Sequence, residues 1–367
     1  MVGRPGSFLQ FPQGTEGFYL EEAYTHKRLV NRIEQTFSSW GYLPVQTPVF
    51  DFYDVYKPLL RREDKKSAYR LIDRDGELLM LRSDITLFLA KQMGMVLTDE
   101  DLPVRVYYAD TILRHQDPED ISRNEFFQVG IELIGAPGPE ADLEVLLLLK
   151  ELLDVIHAPP YFIHIGTRKF IDACTPDADD TLRTHIRQAV GARDISAVRS
   201  LFARAGVPET RIPALVQLLF FIGSKDELHG ELESARSLLT PAQTAAVTSL
   251  LDLSSTLDQL GATPAFRIDL SEVGSQAYHS GIVFQAYMDG FDSATASGGR
   301  YDGLLGSFGF DAPSVGFSLM LRKLQNSLGH DPKAYEPDPL TAAEGNTFVE
   351  RVRNAQNLRK SGKRVIL

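Results

Sequence analysis

Cysteine is nearly absent from this 367-residue chain. Cys174 is the only one, which excludes an internal disulfide framework and any cysteine-based metal cluster. That economy suits a reducing compartment. Histidine is also sparse, and the eight present form no H-E-x-x-H pair or other compact metal signature. Long apolar runs are missing too. The strongest, VLLLLKELLDVI at 145–156, is interrupted by charge and falls well short of the roughly 18 residues of a membrane span. The N-terminus lacks a basic stretch followed by an apolar core, so no export signal is expected. Positive charge is in deficit: 38 Lys and Arg against 49 Asp and Glu give a net charge of −11, with no basic stripe. A general nucleic-acid binder would show one. These absences lead us to expect a cytoplasmic protein with no membrane association, no nucleic-acid partner, no metal and no cofactor.

What is present is ordinary globular composition, 43% hydrophobic and 24% charged, in a chain long enough for one large core or two modest domains. Helical spacing of Leu29, Ile33, Phe37 and Trp40 predicts a helix over 21–40, ended by Gly41. Residues 42–56 read as extended, and 68–84 as a hairpin turning at Asp75-Gly76. Asp84 is placed to cap a helix that starts at Ile85. Two strands, 103–115 and 124–135, flank a charged loop, and a helix follows from Pro139. After a strand at 161–167, residues 168–260 alternate helical patterns with Gly/Pro breaks. Strands return at 265–270, 281–289 and 314–321, the last running into a helix over 322–329, and a short helix is expected near 350–361. Helices mixed with antiparallel hairpins indicate an α+β fold.

Several residues invite a functional reading. Arg114 opens the charged loop, and its guanidinium fork fits either two phosphate oxygens or a surface ion pair. Strand alternation puts Gln128, Gly130 and Glu132 on one face, and Phe127, Val129, Ile131 and Leu133 on the other. The polar face serves either solubility or a ligand amino group. SGGRYDGL at 297–304 reads as a tight loop presenting Arg300, and it lacks the Lys-Ser/Thr of a phosphate loop. Cys174 reads as a buried thiol rather than a nucleophile, and spacing alone does not make His279 a base.

Taken together, the segments resemble the class II aminoacyl-tRNA synthetases of the histidyl type. GYLPVQTPVFD is similar to the first class II signature, YYADTILRHQDPEDISRNEFFQVGIELIG to the second and SVGFSLMLRKL to the third. LRSDIT resembles the family's LRPEGT, SGGRYDGL its GGGRYDGL, and SQAYHSGIVFQ its histidine-pocket segment RGLDYYTGIVFE. The order is the family's and spans roughly residues 10–330. The resemblance implies an antiparallel sheet flanked by helices over 1–330, with a helical insertion at about 168–260. It also implies that 331–367 is a short C-terminal extension in place of an anticodon-binding domain. Histidine-pocket positions persist as Gln128, Glu132, Arg300 and Tyr301, with Asp84 expected near the ligand ammonium, Tyr278 or Glu132 near its imidazole and Arg114 as an anion contact.

The departures matter as much. Gly274 stands where the family has the arginine that assists activation, and Ala277 where it has aspartate. His279 replaces the second tyrosine of the pocket pair. Met320, Arg322 and Lys323 stand where the third signature ends in Gly-x-Glu-Arg. Losing one charged transition-state contact costs orders of magnitude in rate, so no catalytic residue is assigned. This pattern of loss and retention resembles the synthetase-like regulatory subunits of ATP phosphoribosyltransferase. The resemblance implies a non-catalytic partner of a short catalytic subunit in the first step of histidine biosynthesis. It further implies a regulatory homodimer, a hetero-octamer of four chains of each kind, and free histidine as feedback ligand. The alternatives are a divergent enzyme that activates an amino acid with ATP, and a synthetase-like scaffold for another partner.

Overall fold

A computed structural model describes residues 11–12, 14–115, 124–274, 276, 278–321, 324 and 338–367. Ala277, Arg322, Lys323 and, apart from Leu324, the helix expected at 322–329 fall outside the described residues.

Local signals act as physical chemistry requires. The first helix, α1 (Leu20–Ser39), buries Leu29, Val30, Ile33 and Phe37 at helical spacing, and Gly41 follows with φ 83°, a conformation that costs glycine little. The hairpin joins Arg70–Ile72 to Leu78–Leu81. Its turn is wider than the expected Asp75-Gly76 pair, because the Asp73 carboxylate accepts from the backbone N–H of both Asp75 and Glu77. With Phe50–Phe52 these strands form a three-stranded antiparallel sheet.

The main sheet has nine strands. In chain order they are β1 (Leu43–Pro44), β2 (Val104–Leu113), β3 (Glu125–Ile134), β4 (Tyr161–Thr167), β5 (Ile222–Gly223), β6 (Phe266–Asp269), β7 (Ile282–Met288), β8 (Ala296–Arg300) and β9 (Ser314–Met320). Their spatial order is β1-β2-β3-β9-β8-β7-β4-β6-β5. The six central strands, β2 to β4 in that order, pair antiparallel throughout, while β1 and β6 join in parallel.

Helices cover one face. α1 and α2 (Pro139–Val155) pack on Val129, Ile131 and Leu133 of β3, in a core that continues into the helices of 168–260. That segment contributes Phe170, Phe202, Leu215 and Leu250 to the same cluster. The other face meets α3 (Ile85–Val96), with Phe88 stacked on Tyr56 and packed near Tyr108, Tyr301 and Leu304. The polar residues of β3 point toward this second, smaller cluster, so neither face of β3 is a solvated surface.

The first half of the expected loop at 297–304 is instead the central strand β8, while residues 302–304 do turn. Gly298 and Gly299 lie between β7 and β9, where an added Cβ would collide with the Phe284 ring, with the Gly316 carbonyl and with the Ile282 carbonyl. Glycine here serves close approach rather than a turn. Near the C-terminus, Thr341–Ala342 pairs in parallel with Val365–Ile366, and the helix Phe348–Lys360 packs on them through Ala343, Ala355 and Val365.

Candidate functional site

The site is assembled where α3 begins against the polar face of β3. Asp84 caps α3 by accepting from the Leu87 N–H at 3.3 Å. Burial raises its carboxyl above the usual range, opposed by the Arg114 guanidinium. Arg114 donates from Nε to the Ser83 carbonyl at 2.7 Å, and its other end lies 3.5 Å from Asp84 Oδ2. At the second residue of the helix, Thr86 donates to Glu132 Oε1 at 2.7 Å and lies 3.3 Å from the Tyr108 hydroxyl. The Tyr301 hydroxyl donates to the other Glu132 oxygen. Gly316, across the ladder from Glu132, leaves the room that this carboxylate fills.

Glu132 is 1% exposed. Burial lifts its carboxyl to about 8, against the hydroxyls of Tyr301 and Thr86, and nearby Asp84 adds to the rise. It is therefore a largely protonated acid at neutral pH, and a cation placed beside it would ionise it. Gln128 supplies a second open valence. Its Oε1 accepts from the Ile85 N–H at 3.1 Å, while its Nε2 is buried without a hydrogen-bond partner. A buried amide donor left bare is costly and marks a place where a ligand oxygen would be favoured.

Tyr278 closes the other side, edge-on to Tyr301 at 5.6 Å and to His279 at 5.3 Å. The His279 ring lies over Gly299 and against Gly274. Burial first, then the charges of Arg168 and Arg61, pushes this imidazole down to about 3, so it is neutral, and its Nδ1 is buried without a partner. Gly274 has φ 75°, and a Cβ there would run into the His279 ring and lie 2.8 Å from Val283. The two departures from the synthetase pattern are thus one physical event: the imidazole occupies space that a side chain at 274 would need. The cavity left among Asp84, Glu132, Tyr278, His279 and Tyr301 is about 30 Å³, room for roughly two waters and far below a typical ligand pocket.

Of the residues singled out in sequence, the structure brings Asp84, Gln128, Glu132, Tyr278 and Tyr301 together, with Arg114 at their edge. It does not bring Arg300 to them. Arg300 is 5% exposed and turns to the other side of the sheet, where Nε meets Asp142 Oδ1 at 2.8 Å and Nη2 meets the Gly138 carbonyl at 2.9 Å. Asp302 and the Ala136 carbonyl take the remaining nitrogen. Every donor is committed to tying β8 to the start of α2, so the expectation of a ligand contact is corrected to a structural tether. Met320 sits opposite Gln128 in the β3–β9 ladder and packs toward the second core. Sequence reasoning missed Thr86, Tyr108 and the occluding role of His279. Thr86 was within reach, since it ends LRSDIT at the place of the family's threonine. Among the described residues no group of acidic, His and Cys side chains could hold a metal, and no helix is long and apolar enough to cross a membrane.

Comparison with known proteins decides the lineage. The histidyl-tRNA synthetase family model matches residues 14–324. A curated relative from Moorella thermoacetica, an ATP phosphoribosyltransferase regulatory subunit, is 31% identical over 98% of this chain and 92% of its own length. The chain belongs to the family of ATP phosphoribosyltransferase regulatory subunits. A regulatory subunit from Geobacter sulfurreducens is 30% identical over 96% of this chain and 81% of its own length. A solved structure from Bacillus halodurans, described as an ATP phosphoribosyltransferase regulatory subunit/histidyl-tRNA synthetase, superposes with a TM-score of 0.84 at 25% identity, covering 99% of this chain and 93% of that one. Histidyl-tRNA synthetase from Nostoc superposes with a TM-score of 0.79 at 21% identity over 97% of this chain and 85% of that one, which establishes the shared class II fold. As a regulatory subunit, the chain carries a synthetase architecture with Gly274 and Met320 at positions where the synthetase pattern has arginine and glycine.

Proposed function

We propose that this chain acts as the regulatory half of an ATP phosphoribosyltransferase, activating a short catalytic subunit in the cytoplasm and reporting free histidine to it. The observation that carries the histidine reading is the buried Glu132–Thr86–Tyr301 cluster beside the open amide of Gln128. It is a good place for an ammonium and an oxygen acceptor. In this reading Asp84 and Glu132 compensate the ligand ammonium, Gln128 Nε2 or Arg114 meets the carboxylate, and Tyr278 faces the imidazole. Histidine enters only when the His279 ring withdraws, so ligand binding selects an opened form, and that difference is what regulation requires. A coupling of roughly 1–3 kcal/mol to the catalytic subunit is sufficient.

A homodimer fits the small three-stranded sheet. Phe50 and Phe52 project from one face of its first strand and are about half exposed, and Leu71, in register with Leu79 and Phe52, extends the same face. Exposed apolar surface of this kind marks an interface. Four chains of each kind would complete the hetero-octamer.

Reconstitution with a short catalytic subunit tests the proposal. Phosphoribosyl-ATP formation is expected to rise on adding this chain and to fall on titrating histidine. Feedback unchanged by Glu132→Ala would reject the assigned sensor, and absence of activation would reject the partnership. The amino-acid-activating alternative predicts histidine-dependent exchange of pyrophosphate into ATP by the chain alone.

A further inference from the structure

Among the described residues three arginines are buried: Arg82, Arg168 and Arg300, at 2%, 3% and 5% exposure. Two have carboxylates. Arg300 pairs with Asp142, and Arg82 lies 2.9 Å from Asp110 while also donating to the Thr47 and Thr111 carbonyls. Arg168 has none. Its side chain makes one hydrogen bond among the described residues, from Nη1 to the Gln276 carbonyl at 2.8 Å. Burial and the neighbouring charge of Arg187, opposed by Asp172, push its guanidinium down to about 10. A buried charge without a directly bonded counter-charge is one of the costlier features a fold can carry.

Arg168 forms part of the wall of a cleft of about 1040 Å³, between residues 58–63, the helix Asp180–Gly191, and residues 271–274 with Gln276. Arg187 of that helix lines the same cleft. Asp172 takes its Nη2 at 3.0 Å, but its Nε is buried and unbonded. Arg61 and Arg62 line the opposite rim. The cleft also has acidic groups, of which Asp269 and Glu272 have partners of their own. Asp269 binds Arg193, His164 and Ser271. Burial lifts Glu272 to about 7, and it accepts from Gln285 and the Gly274 N–H. Glu63 sits with Arg62 at the rim.

We propose that this cleft is a binding site for a phosphate-bearing small molecule, whose anionic group sits between Arg168 and Arg187. Two guanidinium groups that repel one another, one lacking a carboxylate and the other an acceptor for Nε, are jointly satisfied by an anion with several acceptor oxygens. The site adjoins the histidine pocket, with Gln276 lining both, but the proposal does not rest on the histidine reading.

Isothermal titration of the full-length chain with inorganic pyrophosphate, without histidine and in sulfate-free buffer at low ionic strength, tests the site. Saturable binding is expected, weakened roughly tenfold or more by Arg187→Gln and by Arg168→Met, and largely retained by Arg62→Gln at the rim. Arg168→Lys is expected to recover part of the loss. If Arg168→Met fails to fold, Arg187→Gln decides, since that side chain is partly exposed. No saturable binding at millimolar pyrophosphate would overturn the proposal. So would binding that Arg187→Gln leaves intact, or that falls equally for all three variants, as diffuse charge attraction would give.

Discussion

Replacing Glu132 by glutamine probes the site at its most sensitive atom. Glu132 titrates at about 8 in the fold against 4.5 as an ordinary glutamate, because burial disfavours its charged form. The folded state therefore holds the proton more tightly than the unfolded chain. The group's contribution is most favourable below pH 4.5 and is lost as pH rises through 8. At about 1.4 kcal/mol per pH unit, and allowing for curvature near pH 8, the wild type loses roughly 3–4 kcal/mol from this group between pH 5 and pH 8. Glu132→Gln keeps shape and neutrality and loses nothing from this source. With unfolding entropy near 0.8 kcal/mol/K for a chain of this length, the gap corresponds to about 4–5 °C in Tm. The variant should gain on the wild type steadily as pH rises, by differential scanning calorimetry in matched buffers. Parallel Tm profiles from pH 5 to pH 8 would refute the buried-acid argument, whatever the role of the site. The same titration predicts that histidine binding at pH 7 releases a proton, since Glu132 is largely protonated there and an ammonium would ionise it. Calorimetry in buffers of different ionisation enthalpy measures that release, and the glutamine variant should show none.

Other perturbations separate the roles assigned above. Gly274→Arg is expected to destabilise by about 1–3 kcal/mol, from the left-handed φ and the collision with His279. It should restore no pyrophosphate exchange, and combining it with His279→Ala should recover part of the stability in denaturant titration. Arg300→Met leaves Asp142 buried without its partner and is expected to cost about 3–5 kcal/mol, while histidine affinity measured on the folded fraction stays within a few-fold of wild type. Phe50→Asp, placing a charge on the exposed face of the small sheet, is expected to convert a dimer to monomers in light scattering and to abolish activation of the catalytic subunit with it.

Much of the fold was legible in the residues themselves. Local chemistry suffices for α1, the hairpin, the Asp84 cap and strands β2 and β3, because each is set by neighbours within a few positions: apolar spacing, a turn carboxylate, a short polar side chain before a helix. The pairing of Gln128 with Glu132 on one face followed from alternation alone. What alternation could not supply was the identity of that face's surroundings, and so whether it met water or a second core. Gly298 and Gly299 looked like loop residues because their reason lies across the sheet, in Phe284 and in the backbone of β7 and β9.

The site divides along the same line. Sequence by itself established the synthetase ancestry and the loss of charge at Gly274, since motif order and residue identity are one-dimensional facts. Only tertiary structure could decide that Arg300 belongs to Asp142, 158 positions earlier, that His279 fills the space beside Gly274, and that Arg168 lies buried without a carboxylate. Each depends on which distant groups share a low-dielectric interior, where charge and hydrogen-bond valence must be matched locally. Spacing along the chain carries no record of that match.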